Sequence, residues 1–157
     1  MRARRGKLWE ETGIAIRRGN DETGGAMATT LTVHDEGASG TRTNSVTLSF
    51  PSERLTVREL IRERIYQEVQ DYNVAQTEYF NGLVEPTDAE KTLNGFKLRK
   101  KRKIDWEEQF ARALDGFQRN GFFILVGERQ AEELDEVLEV NGETEVSFVK
   151  LVPLVGG

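Results

Sequence analysis

The chain has 157 residues, 37% of them hydrophobic and 31% charged, with a net charge of −5, which suits one polar, soluble domain or one domain plus a tail. It has no cysteine and one histidine, which excludes disulfides, a thiol nucleophile, cysteine-held zinc and a histidine metal cluster. The acidic balance argues against a general nucleic-acid binder, and no apolar run approaches the roughly 20 residues of a membrane helix.

Residues 1–28 read as a disordered arm. Arg2, Arg4, Arg5, Lys7, Arg17 and Arg18 outnumber four acids, Trp9 is the only aromatic, and the turn-rich run Asn20–Gly25 precedes Met27. The basic start lacks the apolar core of a signal peptide. A solvated tail is the expected reading, ahead of a nucleic-acid-binding arm. The lack of cysteine fits the reducing cytoplasm, which is the expected location.

Thr30 to His34 alternates, with Leu31 and Val33 on one face and Thr30, Thr32 and His34 on the other. Ser45 to Phe50 alternates in the same way. Two such runs around the small-residue loop Glu36–Gly40 predict an antiparallel hairpin with one apolar face. His34 falls on the polar face.

Thr56-Val57-Arg58-Glu59 is a capping box. Thr56 can accept from the backbone of Glu59, and Glu59 can reach back to that of Thr56. Leu55 and Leu60 occupy the positions of a hydrophobic staple. A helix over Thr56–Asp71 follows, with Val57, Leu60, Ile61, Ile65 and Val69 as the stripe laid on the hairpin.

From Gln76 to Lys103 the pattern weakens into turn signals and the basic run Lys97–Lys103, read as a solvated connector ahead of a patch for nucleic acid or an acidic protein partner. Asp105-Trp106-Glu107-Glu108 opens a second helix, with Asp105 as N-cap. Trp106, Phe110, Ala113, Leu114 and Phe117 form its apolar stripe.

Phe122–Val126 is a continuous apolar run and reads as a buried strand. The acidic segment Glu132–Val140 reads as a short turn-like piece against the core. Glu145–Val152 is the last strand. Its apolar phase shifts after Phe148, which calls for either a bulge or a central strand covered on both faces.

The chain then closes on Pro153-Leu154-Val155-Gly156-Gly157. A diglycine has nothing to pack and loses more backbone freedom on ordering than other residues. It offers a thin backbone that can enter a channel too narrow for a Cβ. The carboxylate of Gly157 is therefore the expected reacting group.

Three segments carry a resemblance. Leu48–Val57 resembles a second strand running through a Pro-Ser turn into a capped helix. Phe123–Gln130 resembles a third strand followed by a turn. Thr144–Leu151, leading to Gly156-Gly157, resembles a last strand and tail. In this order they resemble the ubiquitin-like proteins, with residues 76–118 as an insertion and 153–157 as the tail of a domain spanning 29–157. The insertion and apolar tail are more similar to the divergent bacterial ubiquitin-like modifiers.

The resemblance implies an α+β fold of the β-grasp type, a mixed sheet packed on one main helix with an inserted second helix. It implies a protein modifier that is not itself an enzyme and carries no cofactor or metal of its own. A partner activating enzyme would adenylate Gly157 with ATP and take the acyl group on its own cysteine. A conjugating enzyme would pass it to a target protein or other acceptor, and a deconjugating protease could reverse the step. Gly156 and Gly157 are the conjugation residues, Pro153, Leu154 and Val155 the recognised tail, and Ile124 the expected surface recognition residue on the open sheet face, with a plain core residue as its other reading. A sulfur carrier ending as a thiocarboxylate shares this fold and tail. A non-conjugated interaction domain is the third reading.

Overall fold

The computed structural model describes residues 28–151. The N-terminal arm up to residue 27 and the tail from residue 152, with the expectations placed on them, lie outside the described residues.

The predicted hairpin forms from β1 (Thr29–Glu36) and β2 (Arg42–Phe50). They pair antiparallel with Leu31 opposite Leu48 and Val33 opposite Val46. The alternation therefore turns Leu31, Val33, Leu48 and Phe50 into the core. A short strand β3 (Arg54–Thr56) leads into helix α1 (Val57–Ala75). The capping box closes as expected. Glu59 N donates to Thr56 Oγ1 at 3.1 Å, and Thr56 N to Glu59 Oε1 at 2.8 Å. Val57, Leu60, Ile61, Ile65 and Val69 are all 0–1% exposed, each burial contributing about 1.5–3 kcal/mol. The helix runs a turn beyond the expected Asp71, because Tyr72 continues the buried stripe. It ends where Gln76 takes a left-handed conformation and donates to Tyr72 O.

The stretch expected as an insertion holds more order than its sequence pattern suggests. Strands β4 (Ala89–Thr92) and β5 (Gly95–Leu98) form a hairpin. Gly95, at φ 126°, supplies the turn conformation that L side chains rarely adopt. Both strands are short and mostly polar, so they leave no period-2 signature. Helix α2 (Trp106–Gln118) begins on the Asp105 cap. It packs along α1, where the Trp106 ring meets Tyr66 edge-on at 5.3 Å. Of its stripe, Ala113 and Phe117 are buried, and Trp106, Phe110 and Leu114 are half-buried. Gln109, absent from the predicted stripe, is fully buried and donates to Val84 O at 3.1 Å.

The chain returns through β6 (Phe122–Val126), the two-residue β7 (Arg129–Gln130), β8 (Val137–Glu139) and β9 (Val146–Lys150). The acidic segment is partly strand. β8 pairs with β3, burying Leu138 and leaving Val137 exposed. The main sheet runs β2-β1-β9-β6-β7. β9 lies in its middle, parallel to β1 and antiparallel to β6. The last strand is therefore central and without a bulge, but it is not covered on both faces, since Val149 lies half-buried on the face away from α1. Val146, Ser147 and Phe148 are all buried, and both ladders keep a continuous register. The whole is α+β, a mixed sheet with α1 across one face and α2 against α1.

Candidate functional site at the root of the tail

Pro153, Leu154, Val155, Gly156 and Gly157 lie outside the described residues, so the site is built from the end of β9, where the tail begins. Because β9 runs parallel to β1, it ends beside the end of β1, with Val149 paired to Glu36. There, β1, α1 and β9 itself bring four charged side chains together. Arg64, on α1 and 1% exposed, donates from Nη1 to Asp35 Oδ1 at 2.7 Å and from Nη2 to Oδ2 at 3.0 Å. Its Nε donates to Glu68 Oε2, one turn along, at 2.8 Å. Lys150 Nζ, on the last residue of β9, lies 3.7 Å from Asp35 Oδ2. The guanidinium also stacks on the Phe148 ring at 4.9 Å.

Two cations face two carboxylates, so the cluster can be neutral although it is nearly dry. Burial by itself would lower the Arg64 pKa. The Coulombic pull of Glu68 and Asp35, with their hydrogen bonds, overcomes it and leaves the pKa above its ordinary value. Burial pushes the Glu68 carboxyl up, against the opposing pull of Arg64.

The same cluster anchors the inserted segment. Leu83 N donates to Glu68 Oε1 at 3.0 Å, and Lys150 Nζ donates to Gly82 O at 3.1 Å. Gly82 is required there, because a Cβ would strike the buried Phe80 ring. The root of the tail is thus tied to α1, β1 and the insertion at once. Next to it lies a groove of about 280 Å³ lined by Phe80, Leu83, Leu93, Phe96, Phe122 and Leu151.

The other face of the sheet is open, and here the expectation for Ile124 is corrected. Ile124 is 0% exposed, inside the core opposite Phe148, so it presents no recognition surface. The parity of β6 decides this. Phe122 and Ile124 point inward, and Phe123 and Leu125 point to the open face, both half-buried. Register sets Val149 beside Phe123, and Ser147 between His34 and Leu125. The apolar part of the open face is therefore Phe123, Leu125 and Val149. A run of five apolar residues carries no alternation to reveal this. No local signal in the run gives its phase, which is set by pairing with β9.

Polar groups flank this patch. His34 Nδ1 lies 2.9 Å from Ser45 Oγ. Ser147 Oγ donates to Glu36 Oε2 at 2.5 Å, and Arg42 bridges Glu36 and Glu145. The Ser147 bond, together with Arg42, holds the Glu36 carboxyl below the usual range against a smaller opposing effect of burial. Among the described residues, no three His, Asp or Glu side chains are placed to hold a metal ion, and no helix is long and apolar enough to cross a membrane. In the basic run, Lys97 pairs with Glu78 and Arg102 donates to Thr87 O, with Arg99, Lys100, Lys101 and Lys103 exposed. Compared with known protein families and with curated proteins, the sequence matches no family model and no curated sequence.

Proposed function

We propose that the chain is a β-grasp, ubiquitin-like protein modifier joined to its acceptor through Gly157. The observation that carries this reading is the sheet order, with the last strand inserted centrally and parallel to the first, and a capped helix crossing one face. This arrangement puts the last strand, which precedes Gly156-Gly157 in the sequence, in the middle of the sheet. Lys150 fixes its root to α1 and the insertion. The half-buried Phe123, Leu125 and Val149 give a partner an apolar surface to hold. That surface supports the non-conjugated interaction domain as a second reading.

The carboxylate of Gly157, present as synthesised or freed by cleavage, attacks the α-phosphorus of ATP and releases pyrophosphate. A partner cysteine thiolate displaces AMP to give a thioester, and an acceptor amine takes the acyl group and regenerates the thiol. The nucleotide site and the thiol belong to the partners, which matches a chain without cysteine. Any side chain next to the reacting carbon would crowd the approach.

The test incubates the chain with the activating and conjugating enzymes of its source cell and ATP, followed by mass spectrometry of the products. An adduct through Gly157, lost in Gly156→Leu while the melting temperature stays unchanged, is the expected result. A thiocarboxylate of matching mass makes the chain a sulfur carrier. Neither product leaves the interaction domain.

A further inference from the structure

The basic run Lys97–Lys103 is fixed along its length rather than slung loosely between elements. Lys97 and Leu98 belong to β5, Arg99 N donates to Asp88 O at 3.0 Å, and the Arg102 guanidinium donates to Thr87 O. Just beyond, the buried Ile104 is held by Asn73 of α1, which donates to Ile104 O at 2.9 Å and accepts from Ile104 N at 2.8 Å. Lys97, Arg99, Lys100, Lys101 and Lys103 are exposed. Among the described residues, Lys97 alone of these five has an ion pair, with Glu78 at 3.6 Å. An exposed pair of this kind exchanges readily for a better partner. Like charges held side by side repel, and a bound anion relieves that repulsion. Between Lys97 and Lys101 opens a cleft of about 270 Å³, lined also by Tyr72, Thr77, Glu78 and Leu98. Tyr72 is buried and Leu98 half-buried, so the cleft has an apolar floor under a basic rim. It is smaller than the roughly 300–1,000 Å³ of small-molecule pockets and suits one large side chain.

We propose that residues 97–103 and this cleft are the docking site for an acidic peptide segment of a partner protein, with one apolar side chain in the cleft and carboxylates on Arg99, Lys100, Lys101 and Lys103. Charge complementarity selects a short acidic peptide over a nucleic acid. The chain as a whole is acidic, at −5, and the exposed Glu78, Asp88, Glu90 and Asp105 border the run, with Glu90 directly across the hairpin from Lys97. Five residues of extended peptide span about 17 Å, the reach of the loop 99–103 itself, so the peptide ends before it meets those acids. A nucleic-acid strand would run on past them. It would gain at most about five phosphate contacts, whose contribution salt largely removes. The fixed backbone presents the cations ready for binding, which lowers the ordering cost of the complex. This goes beyond the conjugation reading, since docking needs neither Gly157 nor an activating enzyme. It gives the insertion a role, as the part of the molecule that selects a partner.

The test titrates the full chain into a fluorescein-labelled peptide, Asp-Glu-Asp-Leu-Asp-Glu-Asp, at about 50 mM salt, and follows anisotropy. Lys101→Glu, at the cleft, should weaken binding by on the order of tenfold. Arg119→Glu changes the net charge equally at the other end of α2 and should leave binding within about twofold. Replacing the peptide's Leu by Ser should weaken binding about fivefold or more, and a short oligothymidylate should bind more weakly than the peptide. In the unsubstituted chain, the peptide should shift the amide resonances of residues 97–103 together with Tyr72 and Thr77. A peptide that does not bind, or whose shifts miss residues 97–103, overturns the proposal. So does equal binding of the Ser peptide. Equal losses in Lys101→Glu and Arg119→Glu would assign the attraction to net charge. Full binding by Lys101→Glu would assign it to the basic residues of 1–27, and tighter binding of the oligothymidylate would make the run a nucleic-acid site. Each of these outcomes overturns it as well.

Discussion

At the end of the sheet where β1 begins, the space between α1 and the strands is filled with hydrocarbon: Phe50, Leu55, Val57, Leu138 and Val140. At the end where β1 and β9 finish, it is filled with Asp35, Arg64, Glu68 and Lys150. The hydrocarbon end is buried throughout, while at the charged end Asp35 and Arg64 are buried and Glu68 and Lys150 only partly so, and the physics differs. Hydrocarbon packing is non-directional and accepts volume-conserving changes with modest loss. A buried charge cluster contributes little net stability, since desolvation offsets much of its Coulombic gain. It does, however, penalise any arrangement that separates its members. The charged end is the one that must hold the root of the tail, a helix and the insertion in a single relative position. The molecule thus needs specificity at the charged end and only burial at the other.

The largest effect is expected from Arg64→Ala. It strands Asp35 and Glu68 together with no guanidinium, and should cost about 3–5 kcal/mol, measured by urea unfolding. Combining Asp35→Leu with Arg64→Met should recover part of that loss, because both buried charges leave together. A double variant as unstable as Arg64→Ala would show that the cluster stabilises in its own right. In the hydrocarbon core, Ile65→Ala should cost about 2–5 kcal/mol, and Ile65→Leu under about 1.5 kcal/mol. Thermal melts of the pair would show whether the core is as tolerant as its chemistry says.

At the hydrocarbon end, Thr56→Ala removes the Thr56 half of the capping box and should cost about 1 kcal/mol. The smallest effect concerns pH. The Glu36 carboxyl is depressed below its ordinary 4.5, first by the Ser147 bond, so its folded form binds protons less readily than the unfolded chain. Its contribution is therefore present above pH 4.5 and lost as pH falls through the folded value. Ser147→Ala should raise the Glu36 titration midpoint by NMR. The stability gap between variant and parent should be open at neutral pH and close on acidification. A gap that persists in acid would assign the Ser147 effect to packing.

Local rules carried the parts of the fold that sequence could state. Alternation in 30–34 and 45–50 placed Leu31, Val33, Leu48 and Phe50 inward. The capping box and the five-residue stripe placed α1, because both depend only on residues within a few positions of each other. Asp105 marked the start of α2 for the same reason. Of the candidate site, the sequence named the diglycine, whose argument rests on backbone chemistry alone.

Tertiary structure decided the rest. Arg64 and Asp35 are 29 positions apart, and Lys150 and Gly82 are 68 apart. Helical spacing puts Arg64 four residues after Leu60 and three after Ile61, on the stripe's own face, but no window of sequence supplies the Asp35 carboxylate that allows an arginine to be buried there. Ile124 moved from surface to core because a continuous apolar strand has no phase until its neighbours fix one, here Phe148 on β9. The hairpin of the insertion pairs Ala89–Thr92 with Gly95–Leu98 and is bridged to Phe80 through Phe96, which short polar strands do not announce. What the sequence determined by itself was each element's preferred local form. Which faces met, and where the charges had to be buried, followed only from closing the chain around a single core.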